Sequence, residues 1–214
     1  MKQTVLTLMG FWMCVICTAV AAVPDVPKEI VERASGRIFE EIQRDRAEFE
    51  TDKTRLYALV SEVVLPHFDF QKMSRSVIKR KYWKKASKTL RAEFVQTFRD
   101  YLVRTYSTAL VKFEVDKIVY LPTKKRKGKK DVTVQTRVHL KRTKPVPIDY
   151  RLYRNKQGQW QVFDIKVDGI SLIINNRNSY NKILKKSGLS GLIEILREPA
   201  EKAPAETSAQ AGGA

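Results

Sequence analysis

Apolar positions first recur at helical spacing after Asp25. Ile30, Ala34, Ile38 and Ile42 fall on one stripe, with Val31 and Phe39 beside it and charged residues opposite. Leu56, Leu59, Val60, Val63 and Val64 predict a second helix from about 52 to 65, closed by Pro66, which disfavours helix at the residue before it. A short third helix carries Phe70, Met73 and Val77. A basic and aromatic segment follows from Lys79 to Lys85. Ser87 is then placed to cap a long helix with the stripe Leu90, Phe94, Phe98, Leu102, Thr105 and Ala109, flanked by Tyr101 and Tyr106.

The period then shortens to two. The stretch 115–121 is rich in β-branched residues. Val132, Val134, Thr136, Val138 and Leu140 alternate with Thr133, Gln135, Arg137 and His139, which predicts a strand with one buried face. Between them, six basic residues in the seven from Lys124 to Lys130 read as a hairpin loop, a solvated run that keeps strand edges apart or a grip for phosphate. Ile148, Tyr150 and Leu152 mark a third strand and Asn155 to Gly158 a turn. Trp160 to Val167 is a fourth, with Trp160 and Val162 expected on one face and Phe163, Ile165 and Val167 on the other. Helical spacing returns from Ser171, breaks at Gly188, and resumes from Leu189 to Leu196. Four strands with short connections imply an antiparallel meander. The fold class is α+β: N-terminal helices, a twisted four-stranded antiparallel sheet, and C-terminal helices.

The two ends read differently. Lys2 is the one charge before Asp25, and an apolar run from Val5 to Cys17 precedes small residues at Ala19, Ala21 and Ala22. This is the pattern of a secretory signal peptide over 1–22, cleaved after Ala21 or Ala22. An uncharged run of about 20 residues could also anchor in a bilayer, but Pro24 and the small residues stand where cleavage needs them. Both cysteines lie in this leader, so the remainder has neither a disulfide nor a thiolate metal site. Residues 23–197 form the domain. The tail 198–214 has no aromatic residue, Leu, Ile or Val and is expected to be disordered.

Composition narrows the function. A 214-residue chain with 43% hydrophobic and 30% charged residues can bury a core. Its formal charge of +18 suits nucleic acid, an anionic membrane or an acidic protein face. Export makes nucleic acid a poor match and leaves the other two. No phosphate-binding glycine loop, nucleophile elbow, dinucleotide fingerprint or paired zinc-binding histidines occur in the sequence. His67 and His139 have no second ligand nearby. Asp164 and Asp168 could form an acid–base pair, but read better as an ion-pair partner and a turn residue before Gly169. No enzyme, cofactor or metal is expected.

Two stretches carry a resemblance. One is Tyr82-Trp83-Lys84-Lys85-Ala86-Ser87, leading into Phe94, Phe98, Tyr101-Leu102 and Thr105-Tyr106. The other runs from Trp160 through Asp164, Gly169, Ile170 and Ser171 to Leu172, followed by Asn175 and Arg177. Together they resemble the MlaC, or toluene-tolerance auxiliary, family. That resemblance implies a periplasmic phospholipid carrier whose helices and sheet enclose an apolar pocket for acyl chains. It also implies traffic between an outer-membrane lipoprotein complex and the inner-membrane ABC transporter of the Mla system, with transient contact near the membrane. The chain departs from the family at Asn176, at Ser179-Tyr180 and at the start of the long helix. Candidate pocket residues on the predicted elements are Phe70, Met73, Val77, Trp83, Phe94, Phe98, Tyr101, Leu102, Tyr106, Val134, Val138, Tyr150, Leu152, Phe163, Ile165, Val167 and Leu172. Enclosing two acyl chains is a strong demand, since each methylene gains about 0.8 kcal/mol on leaving water. The alternative is an exported module without lipid that docks an acidic protein through its basic surface.

Overall fold

The computed structural model describes residues 27–198 apart from 126, 129 and 142. The expected leader and all but the first residue of the expected tail lie outside the described residues.

The first apolar stripe forms α1 (Pro27–Arg44). A break at Asp45 sets off α2 (Arg46–Thr51), which the sequence pattern did not predict. Next come α3 (Lys53–Val63) and a single 3-10 turn over Leu65–His67. The third predicted helix is α4 (Phe70–Val77), and the basic, aromatic segment is itself a short helix, α5 (Arg80–Lys85). The long helix is α6 (Lys88–Lys112). Asp52, Asp69 and Ser87 each accept a hydrogen bond from a backbone N–H of the first turn that follows. Such caps contribute about 1 kcal/mol each, and they explain why the helices start where they do.

The four expected strands are β1 (Val115–Tyr120), β3 (Asp131–Leu140), β4 (Val146–Arg154) and β5 (Trp160–Val167). Two-residue strands, β2 (Lys124–Lys125) and β6 (Ile170–Ser171), enlarge the sheet beyond four; they are too short for periodicity to register. Pairing is antiparallel throughout, in the order β1-β3-β4-β5-β6, with β2 beside β3 past the end of β1. Helix α7 (Leu172–Arg197) closes the described chain and kinks at Gly188, whose φ of 66° and ψ of −165° interrupt the helix.

Buried side chains gather in three clusters. Helix α6 spans two of them: Phe94, Phe98 and Leu102 pack with α4, α5 and α7, while Val103 and Val111 pack with α1, α2 and α3. The third cluster lies on one face of the sheet, where Val132, Val134, Leu152 and Val162 meet Val31 of α1. Helix α1 thus lies on this face of the sheet. Phe68 joins the first and third clusters, and its backbone bridges to Val162 along the outer edge of β5.

Candidate functional site

Eleven of the predicted pocket residues meet in the helical cluster. Met73, Val77, Trp83, Phe94, Phe98, Tyr101 and Leu102 are buried there, with Phe70, Tyr106, Phe163 and Leu172 half-buried around them. Phe94 and Phe98, one turn apart, stack at 5.7 Å between centroids; Trp83 meets Phe94 edge-on and Phe98 meets Tyr180 edge-on. The Arg91 guanidinium donates to the Trp83 carbonyl at 2.8 Å, tying α5 to α6. The Tyr180 phenol is held well above its ordinary value, first by burial and then by Tyr101.

The sheet carries the others. A register shift between Arg151 and Leu152 places an extra residue in β5. Leu152 therefore pairs with Val162 but Tyr150 pairs with Ile165. Val162, Ile165 and Val167 share one face, correcting the expected split between them. Phe163 turns to the opposite face, edge-on to Tyr153 and under the Arg151 guanidinium.

Rows across the inner face lose burial in one direction. Val132, Leu152 and Val162 are fully buried. In the next row Val134 is buried while Tyr150 and Ile165 keep accessible surface. In the third, Thr136 is buried, Ile148 is half-buried and Val167 is 42% exposed. Val138, also buried, pairs with half-buried Val146. Burial pushes the Tyr150 phenol above its ordinary value, with a smaller push from Tyr120. Tyr120 shares a 2.5 Å hydrogen bond with Ser35 of α1, which ties the helix across this face.

Ile148 belongs to that face and was absent from the sequence-derived set, although it shares the period of Tyr150 and Leu152. Phe68 and Tyr120 were also absent: Phe68 reaches the face from the segment before α4, and Tyr120 by pairing with Thr136 at the end of β1. Two surface hollows of about 390 Å³ and 300 Å³ lie elsewhere. The larger is lined by Gln43, Arg46, Glu114, Val115, Asp116 and Lys141, none of them a predicted pocket residue.

The opposite face of β4 and β5 holds a polar hub. Arg151 reaches Asp131 at 3.0 Å and buried Asp164 at 3.4 Å. Asp164 also accepts from Ser171 Oγ at 2.7 Å and from the Ile173 N–H at 3.2 Å. Tyr153 donates to Asp69, and the Lys72 ammonium stands 3.3 Å from the Tyr153 ring centroid. Burial lowers the Lys72 pKa against the opposing pull of Asp69 and Asp131. Asp164 is thus an ion-pair partner, as the sequence suggested, and also holds an N–H of the first turn of α7; Asp168 begins the turn with φ 49° before Gly169 at φ 80°. Consecutive positive φ values suit a tight hairpin turn. Arg177, at the end of the second motif, donates from Nε to the Ser76 carbonyl at 2.9 Å, locking α7 to the end of α4. The first motif therefore encodes joints within the helical layer, and the second joins β5 to α7 and α7 to α4.

These joints and the graded apolar face define a protein that holds helices against an antiparallel sheet with a partly exposed apolar face. The family model of the MlaC protein matches residues 32–198, and the chain belongs to that family. It is 25% identical over 203 residues to the intermembrane phospholipid transport system binding protein MlaC of Haemophilus influenzae, covering 93% of this chain and 92% of that one. It is 22% identical over 192 residues to the toluene tolerance protein ttg2D of Pseudomonas putida, covering 85% and 87%. Among solved structures, it resembles the phospholipid-binding protein of Ralstonia solanacearum in complex with a phospholipid. There the TM-score is 0.70 at 25% identity, over 79% of this chain and 93% of that one.

Proposed function

We propose that this protein is a non-catalytic periplasmic phospholipid carrier. The supporting observation is the inner face of the sheet, where Tyr150, Ile165 and Ile148 retain accessible apolar surface between a sealed core and an exposed end. An apolar wall left open to water costs free energy unless something apolar covers it. The phospholipid in the related Ralstonia structure supports acyl chains as that cover. In this reading the leader directs export. The carrier then moves lipid between an outer-membrane lipoprotein complex and an inner-membrane ABC transporter. The basic surface, including the hairpin from Lys124 to Lys130, serves encounters with acidic partner faces.

The test is native mass spectrometry of protein purified from the periplasm, followed by lipid extraction. A bound diacyl phospholipid is expected, because enclosing its chains removes their apolar surface from water. Protein that emerges empty and takes up no lipid from vesicles would instead favour a docking module without lipid.

A further inference from the structure

The corner joining β5, β6 and α7 presents three large aliphatic side chains to water. Val167 is 42% exposed, Ile170 47% and Ile174 55%. Val167 pairs with Ile170 across the turn, and Ile174 lies in the first turn of α7. Single exposed aliphatic residues are ordinary on protein surfaces; three within eight residues of one corner are not. The turn itself is well held, since the Asp168 N–H donates to the Pro147 carbonyl at 2.9 Å. These side chains are therefore held outward by a firm corner.

Two further observations indicate what meets them. The first is continuity: Ile148 pairs with Val167 and Val167 with Ile170, so the lip extends the inner apolar face out to solvent. The second is charge. Lys166 precedes the lip, and exposed Lys144 lies in the turn between β3 and β4 at this same end of the sheet. Asp168 is the acidic group within the turn. On a chain of net charge +18, an apolar tip flanked by lysines complements an anionic bilayer, with aliphatic groups below the headgroups and ammonium groups among them.

We infer that the Val167–Ile170–Ile174 lip is a membrane-contact surface that enters the headgroup region of an anionic phospholipid bilayer and sets the inner face of the sheet against it. This rests on the carrier reading and adds to it the place where protein and membrane touch.

The test uses purified protein and vesicles of phosphatidylethanolamine with phosphatidylglycerol, with phosphatidylcholine vesicles as the neutral control. The native chain should co-float with the anionic vesicles and release as salt is raised. A variant combining Ile170→Ser and Ile174→Ser should bind at least about tenfold more weakly, having lost the apolar contribution. It should still be purified with bound phospholipid and keep its thermal midpoint. In a second variant, Ile174→Trp, the added indole emission should shift to the blue on anionic vesicles and remain unshifted on neutral ones.

Equal binding by the serine variant, no binding by the native chain, or an unshifted indole would each overturn the inference. So would sedimentation showing a native dimer that the serine variant abolishes while vesicle binding is absent, since the lip would then join two copies. If vesicle binding depends on the lip but the protein never holds phospholipid, the membrane contact stands and the carrier reading fails.

Discussion

Asp164 of β5 and Ser171, which caps α7, are joined by a 2.7 Å hydrogen bond in the buried corner of the molecule. Ser171 Oγ in turn accepts from the Ile174 N–H at 3.2 Å, and Asp164 takes the Ile173 N–H. One carboxylate therefore closes the strand-to-helix connection and neutralises Arg151. Replacing Asp164 by Ala should destabilise the protein by about 3 kcal/mol, because it orphans buried donors and half of an ion-pair network. Asp164→Asn should cost less, since its carbonyl can still accept. Denaturant unfolding of both variants checks the order.

Tyr153 and Asp69 make a pH-sensitive contact between β4 and the start of α4. Burial first, then the hydrogen bond to Asp69 and its charge, push the Tyr153 phenol from 10.0 to about 12. The folded state thus favours the neutral phenol. Its contribution is complete below pH 10 and is lost as the pH rises through about 12. Stability measured by denaturant across this range should fall more steeply for the native chain than for Tyr153→Phe, which has nothing to ionise.

The partly exposed part of the inner face and its sealed part should respond differently to added volume. Val134 is fully buried beside Leu152 and Val31, so Val134→Trp should cost about 1–3 kcal/mol by overpacking. Ile165 borders accessible space, so Ile165→Trp should leave the thermal midpoint near native while lowering the phospholipid bound per protein. Lipid extraction and thermal unfolding of the same two samples measure this contrast.

Two glycines predict opposite signs. At Gly188, φ 66° with ψ −165° is a backbone region that side chains strongly disfavour, so Gly188→Ala should destabilise by about 1–3 kcal/mol. Gly36 lies inside α1, and a Cβ there would meet nothing within 4 Å. Gly36→Ala should therefore stabilise by about 0.5–1 kcal/mol, from reduced backbone freedom in the unfolded chain. Paired unfolding curves decide both.

Local chemistry determined much of the molecule. Ser87, Asp52 and Gly188 mark helix limits because caps and positive φ depend on a residue and its near neighbours. The alternation from Val132 to Val138 specified a half-buried strand for the same reason. The roles of Asp164 and Asp168 were also readable, as an ion-pair partner and a turn residue. Tertiary structure decided the remainder. A single inserted residue at Phe163 changed which face Ile165 and Val167 occupy, and only pairing with β4 reveals such a shift. The sequence treated seventeen apolar residues as one pocket set, whereas packing placed Phe94 and Phe98 in a helical cluster and Val134 and Leu152 under α1. It left Tyr150, Ile165 and Ile148 along an open wall. Hydrophobicity specifies that a side chain avoids water; which neighbour, or which ligand, provides the cover depends on how distant segments meet.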